Sequence, residues 1–328
     1  MIKKSIIFGK YINHNHYDII SYNYNDKHLF CILEDNYTKY ILIDDNNNWL
    51  DARYINGYVN LENNNEVIKG FENSENKVNK ECYNIRNIIE YKPIINGLKE
   101  YILFTIWYGD NFNENRLNGY NNLLEKTGCN VINVNKNNLH HFIKKDYPIH
   151  KSFQYLSDIH KSDYLRCYIM HHYGGGYTDI KQTSDSWKNL YDELLNSNLL
   201  GYGYNCDGIA IPEEADVKLI KKLRKNFRKL IGVGFFILKP NTEFTKKWYN
   251  LLHERLDYYY EELKENPAKY SRESKSGTPK PKWEGGSLDT KYPISWNRIL
   301  GQIVYPLQLQ YLNKFQIKIP DWIKVNYK

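Results

Sequence analysis

The chain has 328 residues, 41% of them hydrophobic and 25% charged, with a formal net charge of +7. That length suits one large α/β domain with a smaller companion, and the composition is that of folded soluble proteins, which excludes wholesale disorder. The positive balance favours anionic partners such as nucleotide diphosphates, acidic membrane surfaces or nucleic acid, without choosing among them.

Cys31, Cys82, Cys129, Cys167 and Cys206 are widely spaced and form no CxxC pair, so neither a zinc site nor a disulfide framework is indicated. The opening MIKKSIIFGK has too few apolar residues for a signal peptide, and no later apolar run reaches the roughly 20 residues of a membrane span. A soluble cytoplasmic protein is the expectation.

In chain order, residues 5 to about 60 read as short strands: SIIFGKYI, YDIISYN, LFCILED and KYILIDD, separated by the polar turns NHNH, YNDKH and DNNN. This predicts a small antiparallel β unit over residues 1–90. The polar stretch from Asn60 to about Lys80 reads as a linker, with a boundary between residues 65 and 95. From residue 97 to 328 strand and helix alternate, which predicts an α/β domain with a mainly parallel sheet. KEYILFTIWYG reads as a buried strand, the stretch after Asn113 as a helix, CNVINV as a strand, and Ser152 to Tyr173 as one long helix. Gly174, Gly175 and Gly176 stop that helix and GYTDI follows as a short strand. LLGYGYN and IGVGFFILKP predict two more strands, and Thr242 to about Glu265 a helix capped by Asn241 or Thr242. Ligands of open α/β sheets gather at the carboxyl ends of strands. Trp107, Tyr108 and Asp179 fall there.

The chemistry concentrates in HKSDYLRCYIMHHYGGGYTDIK, residues 160–181. On a helix Ser162 and Asp163 share a face with Arg166, and the remaining positions are largely apolar, so a polar trio is buried and requires partners. Taken alone, Asp163 and Arg166 read as a plain helix salt bridge and the glycines as a helix stop. The combined arrangement S-D-x-x-R, apolar turn, G-G-G-Y-x-D resembles the sugar-binding-region glycosyltransferases with a DXD motif. That group includes capsular polysaccharide transferases, fungal α-mannosyltransferases and, more distantly, bacterial glucosylating toxins.

The resemblance covers roughly residues 99–310, with GVGFFILKPNTEFTKKW and YPISWNRILG as weaker support. It implies a GT-A, Rossmann-like fold and transfer of a sugar from a UDP- or GDP-sugar to a glycan or protein-linked acceptor, with retention. It also implies that Ser162, Asp163 and Arg166 contact sugar and phosphates, Tyr177 lies along the diphosphate, and Gly175, Gly176, Trp107 and Tyr108 line the donor. Asp179 would face Mn²⁺ or Mg²⁺. One departure stands out: the second motif carboxylate is replaced, giving Asp179-Ile180-Lys181. Metal dependence is therefore expected but weakened, with Asp185, Glu284 or Asp289 as further ligand candidates and Lys181 as an alternative counter-charge for the diphosphate.

KLIKKLRKNFRKL, residues 218–230, sets Leu219, Leu223, Phe227 and Leu230 on one side of a basic helix, which reads either as a solvated surface helix or as one lying on an anionic membrane. SRESKSGTPKPKWEGG reads as a basic loop. The adjacent pairs His140, His141 and His171, His172 point apart on a helix and do not predict a metal site. Against the transferase stand a degenerate nucleotide-sugar-binding protein, suggested by Lys181, and a nucleic-acid-binding protein, for which no recognised module is present.

Overall fold

The structure is a computed structural model that describes residues 96–109, 112–136, 138–139, 142–206, 208–275, 290–320 and 323 in full, and seven strands between residues 11 and 84 at the level of backbone pairing. The chain divides into two compact units, Met1–Ile94 with Asn111–Leu124 and Asn326–Lys328, and Ile95–Asp110 with Glu125–Val325.

In the first unit, strands β1 (Tyr11–His14), β2 (Tyr17–Tyr24), β3 (Lys27–Glu34), β4 (Tyr37–Ile43), β5 (Trp49–Ile55), β6 (Tyr58–Asn63) and β7 (Cys82–Asn84) pair in sequence order. Every pairing is antiparallel. The expected meander is therefore present, and it extends further than the sequence reading. YINGYVNLEN contributes to two more strands, so Asn60 to Asn63 are strand where a linker was expected. The rest of that linker is outside the described residues. Helix α1 (Glu114–Lys126) follows Asn113 as expected.

The second unit carries a six-stranded sheet in the order β13-β11-β12-β10-β8-β9, where β8 is Ile102–Ile106, β9 Asn130–Val134, β10 Gly175–Thr178, β11 Gly201–Asn205, β12 Ile231–Leu238 and β13 Phe315–Ile317. The helices are α2 (Asp158–His172), α3 (Lys188–Leu195), α4 (Val217–Asn226), α5 (Glu243–Tyr258), α6 (Tyr260–Glu265) and α7 (Gly301–Gln308). The sheet is mainly parallel, as expected, with one reversed strand. Strands β8, β9 and β10 run together and β11 runs with β13, but β12 lies between β10 and β11 and opposes both. The fold is a mixed α/β, GT-A-like Rossmann arrangement.

Two expected helices are broken. A 3-10 turn at Lys151–Tyr155 ends at Leu156, and Ser157, extended at φ −65° and ψ 159°, starts α2 afresh. The local reason is legible afterwards: Ser157-Asp158 is an N-cap followed by an acidic first turn, which complements the helix dipole. Tyr259, at φ −90° and ψ 2°, separates α5 from α6. At the start of α5 the Thr242 hydroxyl accepts from the Thr245 amide and the Thr245 hydroxyl accepts from the Thr242 amide, a reciprocal cap.

The glycine run has three separate jobs. Gly174 ends α2 with a left-handed backbone at φ 63°, and a Cβ there would lie 2.4 Å from Pro240 Cδ. Gly175, at φ 88°, lets the first strand residue approach the Ile102 carbonyl, and the place of a Gly176 side chain is taken by Tyr191 Oη and Leu103.

Helix α4 forms where expected but ends at Asn226, followed by a 3-10 turn at Phe227–Lys229, and most of its apolar side is used internally. Leu223 and Leu230 are fully buried in a cluster with Cys206, Tyr305 and Leu309, with Leu219 packed against it. Three of the four apolar side chains read on that side are thus engaged within the fold. No described helix is long and apolar enough to cross a membrane. Cys129, Cys167 and Cys206 are free thiols; the side chains of Cys31 and Cys82, and the whole of His140 and His141, are outside the described residues.

Helix α2 packs against α5 through a cluster of imidazoles and phenols. His172 contacts Tyr168, Tyr147 and Tyr249, with ring centroids 4.4 to 5.4 Å apart; His253 lies tilted against Tyr249 at 4.1 Å and meets the Tyr164 hydroxyl at 3.2 Å. Burial lowers His253 and His160 to about 4 and His172 to about 3, with neighbouring His171 and Lys144 adding to the effect on His172. His150, close to Asp257 and Lys151, and His171, close to Lys144 and Lys246, are lowered too, mainly by burial. Histidines depressed in the folded state bind fewer protons there than in the unfolded chain. Their contribution is intact above the unfolded value of about 6.5 and is lost as pH falls toward 4. Asp163, raised to about 7, offsets one of these protons. Urea unfolding from pH 7 to pH 5 is expected to show falling stability, at about 1.4 kcal/mol per pH unit for each unmatched proton. A midpoint that rises over that interval would contradict the burial of the cluster.

Candidate functional site

The site is set by pairing within the second unit. Parallel β8 and β10 align Leu103 with Gly176 and Phe104 with Tyr177, so their carboxyl ends point the same way. Trp107 and Tyr108 leave one end and Asp179 the other. Antiparallel β12 brings Phe235 opposite Thr178, and the Asp179 amide donates to the Gly234 carbonyl at 2.8 Å. Helix α2 packs on β8 and β10, directing Asp163 and Arg166 toward this edge.

Arg166 is the hub. It is 6% exposed. One terminal nitrogen donates to the Val233 carbonyl at 2.5 Å; the other donates to the Tyr177 hydroxyl at 2.7 Å and lies 3.5 Å from both Asp163 Oδ1 and Asp179 Oδ1. Its guanidinium carbon sits 4.0 Å over the Tyr177 ring. Burial works against the Arg166 charge, but Tyr177, Asp163 and Asp179 together hold its pKa above the ordinary value. The Tyr177 hydroxyl in turn donates to Asp179 Oδ1 at 3.0 Å. One helix, one strand end and the facing strand thus share a single cation.

Burial pushes the Asp163 carboxyl up to about 7, with Arg166 opposing and Asp179 reinforcing the rise. Its proton is therefore poised near neutrality. Lys181, partly exposed, completes the strand end with its ammonium 3.5 Å from Asp179 Oδ2. Ser162 is half-buried beside Asp163 on the helix, and no hydrogen bond to its hydroxyl is described. Tyr108 packs edge-on against Phe153 at 5.8 Å with Lys161 5.4 Å over its ring, and burial raises its phenol to about 12. Trp107 is half-buried, its amide bound to the Val134 carbonyl at 2.9 Å.

The structure thus brings Asp163, Arg166, Tyr177, Asp179 and Lys181 together. It does not bring Gly175 and Gly176 to an open face, because both are buried against Gly97, Ile102, Leu103 and Tyr191. Tyr177 is 2% exposed, and its hydroxyl lies between Arg166 and Asp179. Asp185 is exposed and bonded to the Ser184 hydroxyl at 2.5 Å. Glu284 and Asp289 lie outside the described residues. The described residues do not fit a resident divalent ion. A hard cation requires several oxygens, and the two oxygens of Asp179 each face a cationic side chain. No described group of three His, Cys, Asp or Glu can hold a metal.

Several neighbours were not found from sequence. The Val233 carbonyl anchors Arg166. Tyr204 stacks on Phe235 at 3.9 Å and lies in the field of Asp179 and Arg166. His160 Nδ1 meets the hydroxyls of Ser157 at 3.0 Å and Tyr292 at 2.9 Å one helical turn before Asp163. The one signal available was Gly232, where any side chain would collide with the Tyr204 ring at 2.2 Å.

Residues 30–184 match the model of the glycosyltransferase sugar-binding region containing DXD motif. The match takes in α2, β10, Asp179 and Lys181. It begins within β3, inside the strands that the sequence reading set apart from the resemblance, and ends before β11 and β12. No curated protein and no solved structure matches the chain.

Replacing Tyr177 by Phe removes the hydroxyl that bridges Arg166 and Asp179 while keeping the ring. The expected cost is about 1–3 kcal/mol in urea unfolding, because the buried Arg166 and the half-buried Asp179 lose a partner. A stability equal to wild type would contradict the bridging role.

Proposed function

We propose, from the match of residues 30–184 to the glycosyltransferase sugar-binding region, that the protein transfers a hexose from a UDP- or GDP-sugar to a glycan or protein-linked acceptor, with retention of the anomeric configuration. The observation that carries this reading is the convergence of Asp163 and Asp179 on one buried guanidinium at the carboxyl ends of β8 and β10.

Breaking the bond between an anomeric carbon and a diphosphate builds negative charge on the leaving phosphate and positive charge on the carbon. Asp163, held on a buried helix by Arg166, offers fixed acceptor oxygens to donor-sugar hydroxyls. Its poised carboxyl can accept or donate there according to pH. Ser162 adds a hydroxyl on the same face, and Tyr108 and Trp107 offer aromatic surface for the base. Lys181 and Arg166 supply positive charge where the leaving diphosphate gains its negative charge. Because each group is fixed by packing before the donor arrives, little reorganisation remains for the reaction itself. Polysaccharide assembly is the biological setting that such chemistry serves.

The test is a screen of UDP- and GDP-sugars for donor hydrolysis and transfer, with product configuration read by NMR. Wild type is expected to turn over at least one donor and to form first a product of the donor's configuration. Asp163→Asn is expected to lower kcat/KM about 100-fold or more while leaving the fold intact by circular dichroism. Binding of a donor without any turnover would leave a degenerate nucleotide-sugar-binding protein, and an inverted product would rule out retention.

A further inference from the structure

Two residues after Asp179, where the family pattern carries a second carboxylate, this chain carries Lys181. The ammonium of Lys181 lies 3.5 Å from Asp179 Oδ2, and Arg166 lies 3.5 Å from Oδ1, which also accepts from Tyr177 at 3.0 Å. Both oxygens of the strand-end carboxylate are thus engaged. A divalent ion placed there would have to take them from two cations and then sit beside both, against like-charge repulsion. The same pair of cations is suited to an anion. The partly exposed ammonium can form short charge-assisted bonds to phosphate oxygens, the buried guanidinium adds its positive charge behind it, and both are held in place before any ligand binds.

We propose that the diphosphate of the donor is neutralised by Lys181 together with Arg166, without a divalent metal, and that Asp179 serves as the positioning residue for these two cations rather than as a metal ligand. The proposal rests on the glycosyltransferase reading. It gives Asp179 a function opposite in sign to the one implied by the family motif: the carboxylate orients positive charge instead of gathering it from solution. Lys181 is suited to the task because its side chain is 22% exposed, so it reaches ligand from solvent while remaining tied to the strand end.

Calorimetric titration of the full chain with UDP and with GDP, each in EDTA and again in excess Mn²⁺, tests this directly. The expected result is binding of one nucleotide with the same affinity in both buffers. Lys181→Ala is expected to lose about tenfold or more of the diphosphate affinity while binding of the parent nucleoside is unchanged, and Lys181→Arg to retain it. Lys181→Asp, which restores the motif spacing, is expected to bind only with Mn²⁺. Wild-type binding that requires Mn²⁺ would overturn the proposal and leave the transferase reading standing. Absence of binding in both buffers would overturn both together.

Discussion

One buried cation holds the site in register. The Arg166 guanidinium is taken out of water by the packing of α2, and an unpaired charge there would be costly, so the surrounding chain must supply oxygens. It draws them from Asp163 on its own helix, from Tyr177 and Asp179 at the end of β10, and from the Val233 carbonyl on β12. Each of those elements is fixed in turn by the sheet. The consequence is that a helix face and a strand end, separated in sequence by the glycine run, present their polar groups at one place.

Gly174, Gly175 and Gly176 make that possible at short range. A left-handed residue at Gly174 ends the helix, and the chain enters the strand at once with no room for side chains against Pro240, Ile102 and Tyr191. Eleven residues after Arg166 the chain has reversed and placed Tyr177 under the guanidinium. A longer or looser connection would leave the same residues present but not convergent.

Much of this was legible because it is local. The spacing of Asp163 and Arg166, the apolar remainder of the helix, and the glycine stop are all properties of one short segment, and helical periodicity suffices to read them. The antiparallel strands of the first unit were legible for the same reason, through alternation and turn residues. What escaped was long-range. Val233 reaches Arg166 across 67 positions, and the insertion of β12 between β10 and β11 sets one reversed strand into the sheet, an order that no local pattern encodes. The break at Leu156 and Ser157 escaped because the apolar pattern runs through it and only the Ser-Asp cap marks it. The basic helix α4 was left open by its sequence: its stripe of leucines suits a membrane surface as well as it suits the cluster around Tyr305, where packing places most of it.

The most direct measurement of the central claim is a double-mutant cycle on unfolding free energy with Asp163→Asn and Asp179→Asn, two isosteric changes that each leave Arg166 with one carboxylate. If both act through the same guanidinium, the double variant leaves a buried charge without an acid partner and the coupling energy is expected to be about 1 kcal/mol or more. Costs that add to within about 0.3 kcal/mol would mean that the two carboxylates are independent and that Arg166 does not join them.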